Sequence, residues 1–72
     1  MGETILRIIA EYLNISIDNL ELDLYLKDDL YLNDEDIENI FEEVEEEYDV
    51  NIEKNTELKK VSDLIDYINE YL

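Results

Sequence analysis

The side chains with the most chemical potential in this sequence are its carboxylates. Of the 72 residues, 22 are Asp or Glu and 5 are Lys or Arg, which gives a net charge of −17. Residues 28–49 are the densest stretch, with twelve acids and no base. Carboxylates in such numbers could act as general acid–base pairs, as oxygen ligands for hard cations or as a docking surface for basic partners.

The residue types that are missing exclude several of these chemistries. The chain has no Cys and no His, which excludes thiol catalysis, disulfides and His-based triads. Its single glycine is Gly2, so it has no phosphate-binding glycine loop. No pattern marks any carboxylate pair as buried or activated, and we predict no enzyme activity. The negative charge opposes binding to nucleic acids and anionic membranes and favours a basic protein surface as partner.

Cation binding is the remaining carboxylate chemistry. The candidate ligands are the acids before and within the first turn of a predicted helix: Asp28, Asp29, Asp34, Glu35 and Asp36. Their spacing is not that of a calcium loop, and no glycine is present for its sharp turn. The sequence therefore predicts weak, diffuse divalent-cation binding at most, and no other cofactor.

The elements that must position these acids follow from the spacing of the apolar residues. Steps of three and four predict amphipathic helices over Glu3–Leu13, Asp34–Tyr48 and Asp63–Leu72, with a short helical turn over Thr56–Lys59. Asn33 is a suitable N-cap for the second long helix, and Asp36 occupies the third position of a capping box. Ser62 is the expected N-cap of the last helix, whose inner side should include Tyr71 and Leu72.

The segment Asn14–Asn33 is harder to interpret, because Leu20, Leu22, Leu24 and Leu26 alternate with other residues as in a strand. No second strand pattern is available to pair with it, and a lone strand would leave backbone groups unsatisfied. We predict a long ordered loop with a helical turn near Asp18–Leu20.

Together these elements predict an all-α fold, a small four-helix bundle with three main helices, one short helix and a long first loop. Residues 1–72 should form a single domain. High net charge is typical of disorder, but 46% hydrophobic residues at helical spacing favour a folded core. No apolar run exceeds three residues, so we expect a cytoplasmic protein without a membrane segment. We expect it to be a monomer.

At this level of detail the chain resembles the acyl carrier protein family over nearly its whole length. The matching segments are IIAEYL (residues 8–13), KDDL (27–30), VEEEYD (44–49) and IDYI (65–68). In that family an Asp-Ser-Leu motif starts the second helix, and its Ser carries 4'-phosphopantetheine. The matching stretch here is Asn33-Asp34-Glu35, which places Asp34 at the serine position. A carboxylate in that role would form a mixed anhydride that water hydrolyses, so the resemblance implies a lost attachment site; Ser16 and Ser62 are weak alternatives.

The resemblance also implies a partner-binding surface on the second helix. Glu35, Glu38 and Glu42 match positions where the family has apolar residues that help to dock partner enzymes. Asp36, Glu45 and Glu46 match acids that contact Arg and Lys patches on partners. The small residues that usually precede the motif are matched by Tyr31 and Leu32.

Three functions remain open from the sequence. The first is a carrier-like binding protein that has lost the carrier chemistry and docks basic partners through its acidic second helix. The second is a carrier of fatty acid or related acyl biosynthesis whose natural Ser was replaced by Asp34. The third is an acidic inhibitor that imitates nucleic acid. An acidic helix can also be a solvated surface with no specific role.

Overall fold

Helices make up the regular structure of this protein, which is described here by a computed structural model over residues 2–53 and 57–72. The elements are, in chain order, α1 (Gly2–Leu13), a 3-10 turn (Ile17–Asn19), α2 (Asp34–Tyr48) and α3 (Val61–Tyr71). The predicted all-α class is confirmed. In the described ranges, no helix combines the length and the apolar composition needed to cross a bilayer.

The core forms where the apolar faces of the three helices meet the first loop. Eight side chains are at most 1% exposed: Ile5, Ile9, Leu26, Ile40, Val44, Val61, Leu64 and Ile68. Full burial of one such side chain contributes about 1.5–3 kcal/mol, so this set can outweigh the repulsion between exposed carboxylates. The apolar residues thus hold the acids of α2 on a folded surface.

The N-terminus of α2 is fixed by the capping box that the sequence predicts. The Asn33 side-chain oxygen accepts from the Asp36 backbone N–H at 2.8 Å, and Asp36 Oδ2 accepts from the Asn33 N–H at 3.1 Å. Two of the helix's first backbone donors are therefore satisfied locally. The helix ends at Tyr48, and its C-cap residue, Asp49, has a left-handed φ of 53°.

The first loop is ordered because residues 59–62 supply the backbone partners that a lone strand would lack. The Leu26 N–H donates to the Lys59 carbonyl at 2.8 Å, and the Val61 N–H donates to the Leu24 carbonyl at 3.0 Å. Tyr25 and Lys60 form an isolated antiparallel bridge. The alternating leucines therefore mark a loop that lies along the start of α3.

The same contacts correct the predicted start of the last helix. It begins at Val61 with Lys60 as N-cap, and Ser62 lies within its first turn. Asp63 Oδ2 accepts from the N–H groups of Lys59 and Lys60 at 3.1 and 2.9 Å, so Asp63 supplies the local polar contact expected from Ser62.

The structure also differs from the prediction just before α3 and at the C-terminal end of α3. Thr56 lies outside the described residues, and the rest of the predicted turn, Glu57–Lys59, is not helical. The Lys59 carbonyl is directed to the first loop instead of to a helical turn. At the other end, Tyr71 and Leu72 are exposed rather than on the inner side of α3.

Candidate functional site

Asp34, at the position assigned by resemblance to the attachment serine, is the first residue of α2 and points into solvent. Its side chain is 86% exposed, and its Oδ1 lies 2.7 Å from Lys27 Nζ. The hydrogen bond and the charge of Asp34 raise the pKa of Lys27 above its ordinary value. The helix dipole also favours an anion at this end of α2. Asp34 is thus an exposed, ion-paired carboxylate.

Lys27 is a site residue that sequence reasoning missed. It is the only base between Arg7 and Lys54, and it immediately precedes the acidic stretch 28–49. The position of Lys27 in the sequence indicates an ion pair, because a single cation next to so many acids will lie close to a carboxylate. The fold of the loop from Leu26 to Leu32 determines that this carboxylate is that of Asp34, because the loop places Lys27 at the start of α2.

Asp36 is committed to contacts within the protein. Its Oδ1 accepts from the Tyr12 hydroxyl of α1 at 2.8 Å, and the Asn39 amide donates to the same hydroxyl oxygen at 3.1 Å. The bond from Asn39 acts to lower the pKa of Tyr12, but the contacts with Asp36 and burial raise it, and the net shift is upward. The neutral phenol is therefore favoured in the fold. This contribution to stability is present below the ordinary tyrosine pKa and is lost as pH rises through the raised one.

Glu45 is the second predicted docking acid with an internal partner. Its Oε2 accepts from the Ile52 N–H at 2.7 Å, and its backbone carbonyl accepts from the Val50 N–H at 3.2 Å. Ile52 is buried, so Glu45 fixes the segment that follows α2 against the core. The side chain is half-buried and has one oxygen already used.

Four predicted docking acids remain exposed: Glu35, Glu38, Glu42 and Glu46. They follow one another by three, four and four residues, which places them within about 80° around the helix axis. We call this set the acidic stripe. In the described part of the chain, the ion pairs of Lys and Arg all involve other acids. The stripe therefore presents four carboxylates on one face of α2.

A groove runs beside the acidic stripe, between α2 and the segments on either side of it in the chain. Its apolar lining comes from Leu26, Ile37, Phe41, Ile52 and Leu58, and Glu38 and Glu42 also border it. Lys27 and Asp34 lie at the same groove. Two of the four stripe acids, Glu38 and Glu42, therefore lie at the edge of a concave surface.

Neither serine lies at the start of α2. The Ser16 hydroxyl accepts from the Asp18 N–H at 3.3 Å and caps the 3-10 turn. Ser62 is half-buried in the first turn of α3.

The five acids proposed for cation binding are not gathered at one point. Asp29 Oδ2 accepts from the Tyr25 N–H at 2.7 Å, Asp34 pairs with Lys27, and Asp36 is bound internally. Over residues 2–53 and 57–72, no group of three or more acids is placed to hold a metal ion. Weak binding of Ca²⁺ or Mg²⁺ to dispersed carboxylates stays a prediction.

Neighbouring acids at the end of α2 are expected to differ in their effect on stability. Glu45→Ala removes the charge-assisted bond to Ile52 and should cost about 1 kcal/mol, or roughly 4–8 °C in melting temperature. Glu46→Ala removes an equal charge from an exposed site and should leave the melting temperature unchanged or slightly higher. Thermal unfolding followed by circular dichroism measures both. Equal effects of the two substitutions would contradict a structural role for Glu45.

A known protein is similar to this chain over most of its length. The acyl carrier protein of Rickettsia bellii is 31% identical to this chain over 71 residues, which cover 96% of this chain and 88% of that protein. No family model matches the chain. An identity of this size over nearly the full length of both proteins, on an all-helical fold, confirms the resemblance seen in the four sequence segments. The chain belongs to the acyl carrier protein family.

Proposed function

We propose that this protein is a non-catalytic, carrier-like binding protein that docks basic partner proteins or enzymes through the acidic stripe of α2. One observation carries the proposal: the stripe keeps four exposed carboxylates on one helix face, while Asp34, Asp36 and Glu45 are held by other residues. Like charges at these spacings destabilise a helix, so the stripe is not explained by stability. Charge complementarity would steer the encounter with a basic surface and supply specificity.

The second part of the proposal is that the protein carries no 4'-phosphopantetheine. The fit of the group is poor, because the aligned position holds a carboxylate that is already paired with Lys27. Ser16 and Ser62 lie in other elements and have local roles. The carbon–oxygen chemistry of Asp34 would give a hydrolysable anhydride rather than a phosphodiester. We place the protein in the cytoplasm, with a protein partner and no role for nucleic acid.

The principal alternative is a carrier of fatty acid or related acyl biosynthesis whose natural Ser was replaced by Asp34. Membership of the acyl carrier protein family favours this alternative. This carrier alternative and our proposal assume the same fold and the same acidic surface. They differ in whether the natural residue at position 34 is Ser or Asp. An acidic inhibitor that imitates nucleic acid draws support only from the charge of residues 28–49.

The docking surface can be tested with a matched pair of double variants. Glu38→Gln/Glu42→Gln removes two charges from the stripe, and Glu43→Gln/Glu47→Gln removes two charges at the same spacing from a neighbouring face of α2. We expect the first variant to bind fluorescently labelled decalysine about fivefold more weakly than wild type, and the second less than twofold. At about 150 mM salt the Debye length is about 8 Å, so local charge decides the difference.

Anisotropy titrations measure these affinities, and circular dichroism shows that both variants are folded. Equal weakening by the two variants would mean that net charge alone attracts the probe, which contradicts a docking role for the stripe. Heparin that competes for a captured basic partner would favour the nucleic-acid mimic instead.

A further inference from the structure

Tyr31 is an exposed aromatic residue in a strained backbone conformation. Its side chain is 87% exposed, more than any other large hydrophobic or aromatic residue in the described chain. Its φ is 59°, in the left-handed region that favours glycine. Bulky residues are rarely found there, because the Cβ approaches a carbonyl oxygen.

The neighbours of Tyr31 are fixed, so the ring is held outward by the structure around it. The Leu30 N–H donates to the Tyr25 carbonyl and the Leu32 N–H donates to the Leu26 carbonyl, each at 3.1 Å. Leu32 is 5% exposed and packs in the core. The next residue, Asn33, belongs to the capping box of α2. The ring is thus presented to solvent from a loop that is pinned on both sides.

Stability does not account for a tyrosine at this position. A glycine would adopt the same φ without strain, and the aromatic ring gains no burial in return. Strain that the surrounding structure maintains is often found where a residue has a binding role.

Tyr31 lies close to the start of the acidic stripe along the chain. Three steps of about 3.8 Å between Cα atoms keep Tyr31 within about 11 Å of Asp34, the first residue of α2. Glu35, the first acid of the stripe, follows Asp34 directly. The planar guanidinium of an arginine can stack on an exposed aromatic ring while its N–H groups donate to a nearby carboxylate. Arginine stacks on aromatic rings better than lysine does.

We propose that Tyr31 is the aromatic anchor of the docking surface and that it selects partners with an arginine beside their basic patch. This proposal rests on docking through the acidic stripe and adds the chemistry of the partner residue. The tyrosine ring stacks on the guanidinium, while the stripe attracts the rest of the basic surface. The anchor is a specificity residue, because the stripe alone attracts lysine as well as arginine.

The test compares labelled decaarginine and decalysine on wild type, Tyr31→Gly and Tyr31→Phe. We expect Tyr31→Gly to weaken decaarginine binding about threefold to fivefold and decalysine binding less than twofold. Tyr31→Phe keeps the aromatic face and should stay within twofold of wild type for both peptides. Tyr71→Ala is the control, since it removes another exposed tyrosine, on α3, and should change neither affinity.

Stability provides an independent readout. Tyr31→Gly should melt at or above the wild-type temperature, because glycine relieves the left-handed strain. Weaker binding by a variant of equal or greater stability cannot come from unfolding.

The outcomes separate the anchor from the stripe. If Tyr31→Gly binds decaarginine as wild type does while Glu38→Gln/Glu42→Gln binds it weakly, the anchor is overturned and docking through the stripe stands. If Tyr31→Gly weakens both peptides equally, the selectivity for arginine is overturned. If the stripe variant binds like wild type but Tyr31→Gly loses decaarginine selectively, the anchor is supported and the proposed role of the stripe fails.

Discussion

The Asp34→Ser variant is expected to accept a 4'-phosphopantetheine arm, and the Asp34 protein is expected to accept none. A serine hydroxyl can attack the pyrophosphate of coenzyme A, form a phosphodiester and release the nucleotide part of the cofactor. The Asp34 carboxylate in the same reaction would form an acyl phosphate anhydride, which hydrolyses. Intact mass after incubation with coenzyme A and a promiscuous phosphopantetheinyl transferase gives an all-or-none readout.

The structure allows this substitution without damage to the fold. Asp34 is exposed, and among the described residues its side chain has one polar contact, the surface ion pair with Lys27. The capping box uses Asn33 and Asp36, so the start of α2 does not depend on Asp34. Asp34→Ala is the matched control, because it breaks the same ion pair without adding a hydroxyl, and it should stay unmodified.

Two results would go against this expectation in different ways. A homogeneous adduct on the Asp34 protein would show that Ser16 or Ser62 is modified, and the lost-site proposal would fail. An Asp34→Ser variant that stays bare would mean that its acidic surroundings are no longer recognised by the transferase. The double variant Asp34→Ser/Glu35→Leu then replaces the acid next to the serine with an apolar residue and tests that explanation.

The parts of the fold that could be predicted from the sequence depend on local interactions. The helical spacing of the apolar residues predicts the bounds of α1 and α2 to within one residue. This spacing is a local signal, since periodicity alone determines which face of a helix can be buried. The capping box of α2 joins residues only three apart, Asn33 and Asp36, and it forms as predicted. The position of Asp34 at the start of α2 follows from the same local signals.

The parts that could not be predicted depend on partners distant in the chain. Tyr12 and Asp36 are 24 residues apart, and nothing in either local pattern indicates that they meet. The sequence predicts that α3 starts at Asp63 with Ser62 as its N-cap, because serine is a good cap. In the structure the N–H groups of Val61 and Ser62 donate to the first loop, and the helix starts at Val61. The internal roles of Asp36 and Glu45 likewise separate them from four acids that look equivalent in sequence.

The Asp36→Ala variant is expected to show the largest loss of stability among single changes of an acid on α2. It removes the capping-box contact to Asn33 and the acceptor for the Tyr12 hydroxyl together. Loss of a cap costs about 1 kcal/mol, and loss of a hydrogen bond to a charged group costs at least as much, so we expect about 2 kcal/mol. For a domain of this size that lowers the melting temperature by roughly 8–16 °C.

Glu35→Ala is the matched control, since it removes an acid from the same first turn that makes neither contact. It should change the melting temperature by no more than a few degrees, with the loss of favourable dipole charge offset by reduced repulsion. Tyr12→Phe isolates the link between α1 and α2, and it should add little to Asp36→Ala in the double variant, because both remove the same hydrogen bond. If Asp36→Ala and Glu35→Ala have the same melting temperature, Asp36 has no special structural role. It would then be a surface acid like its neighbours, and its carboxylate would be available for docking.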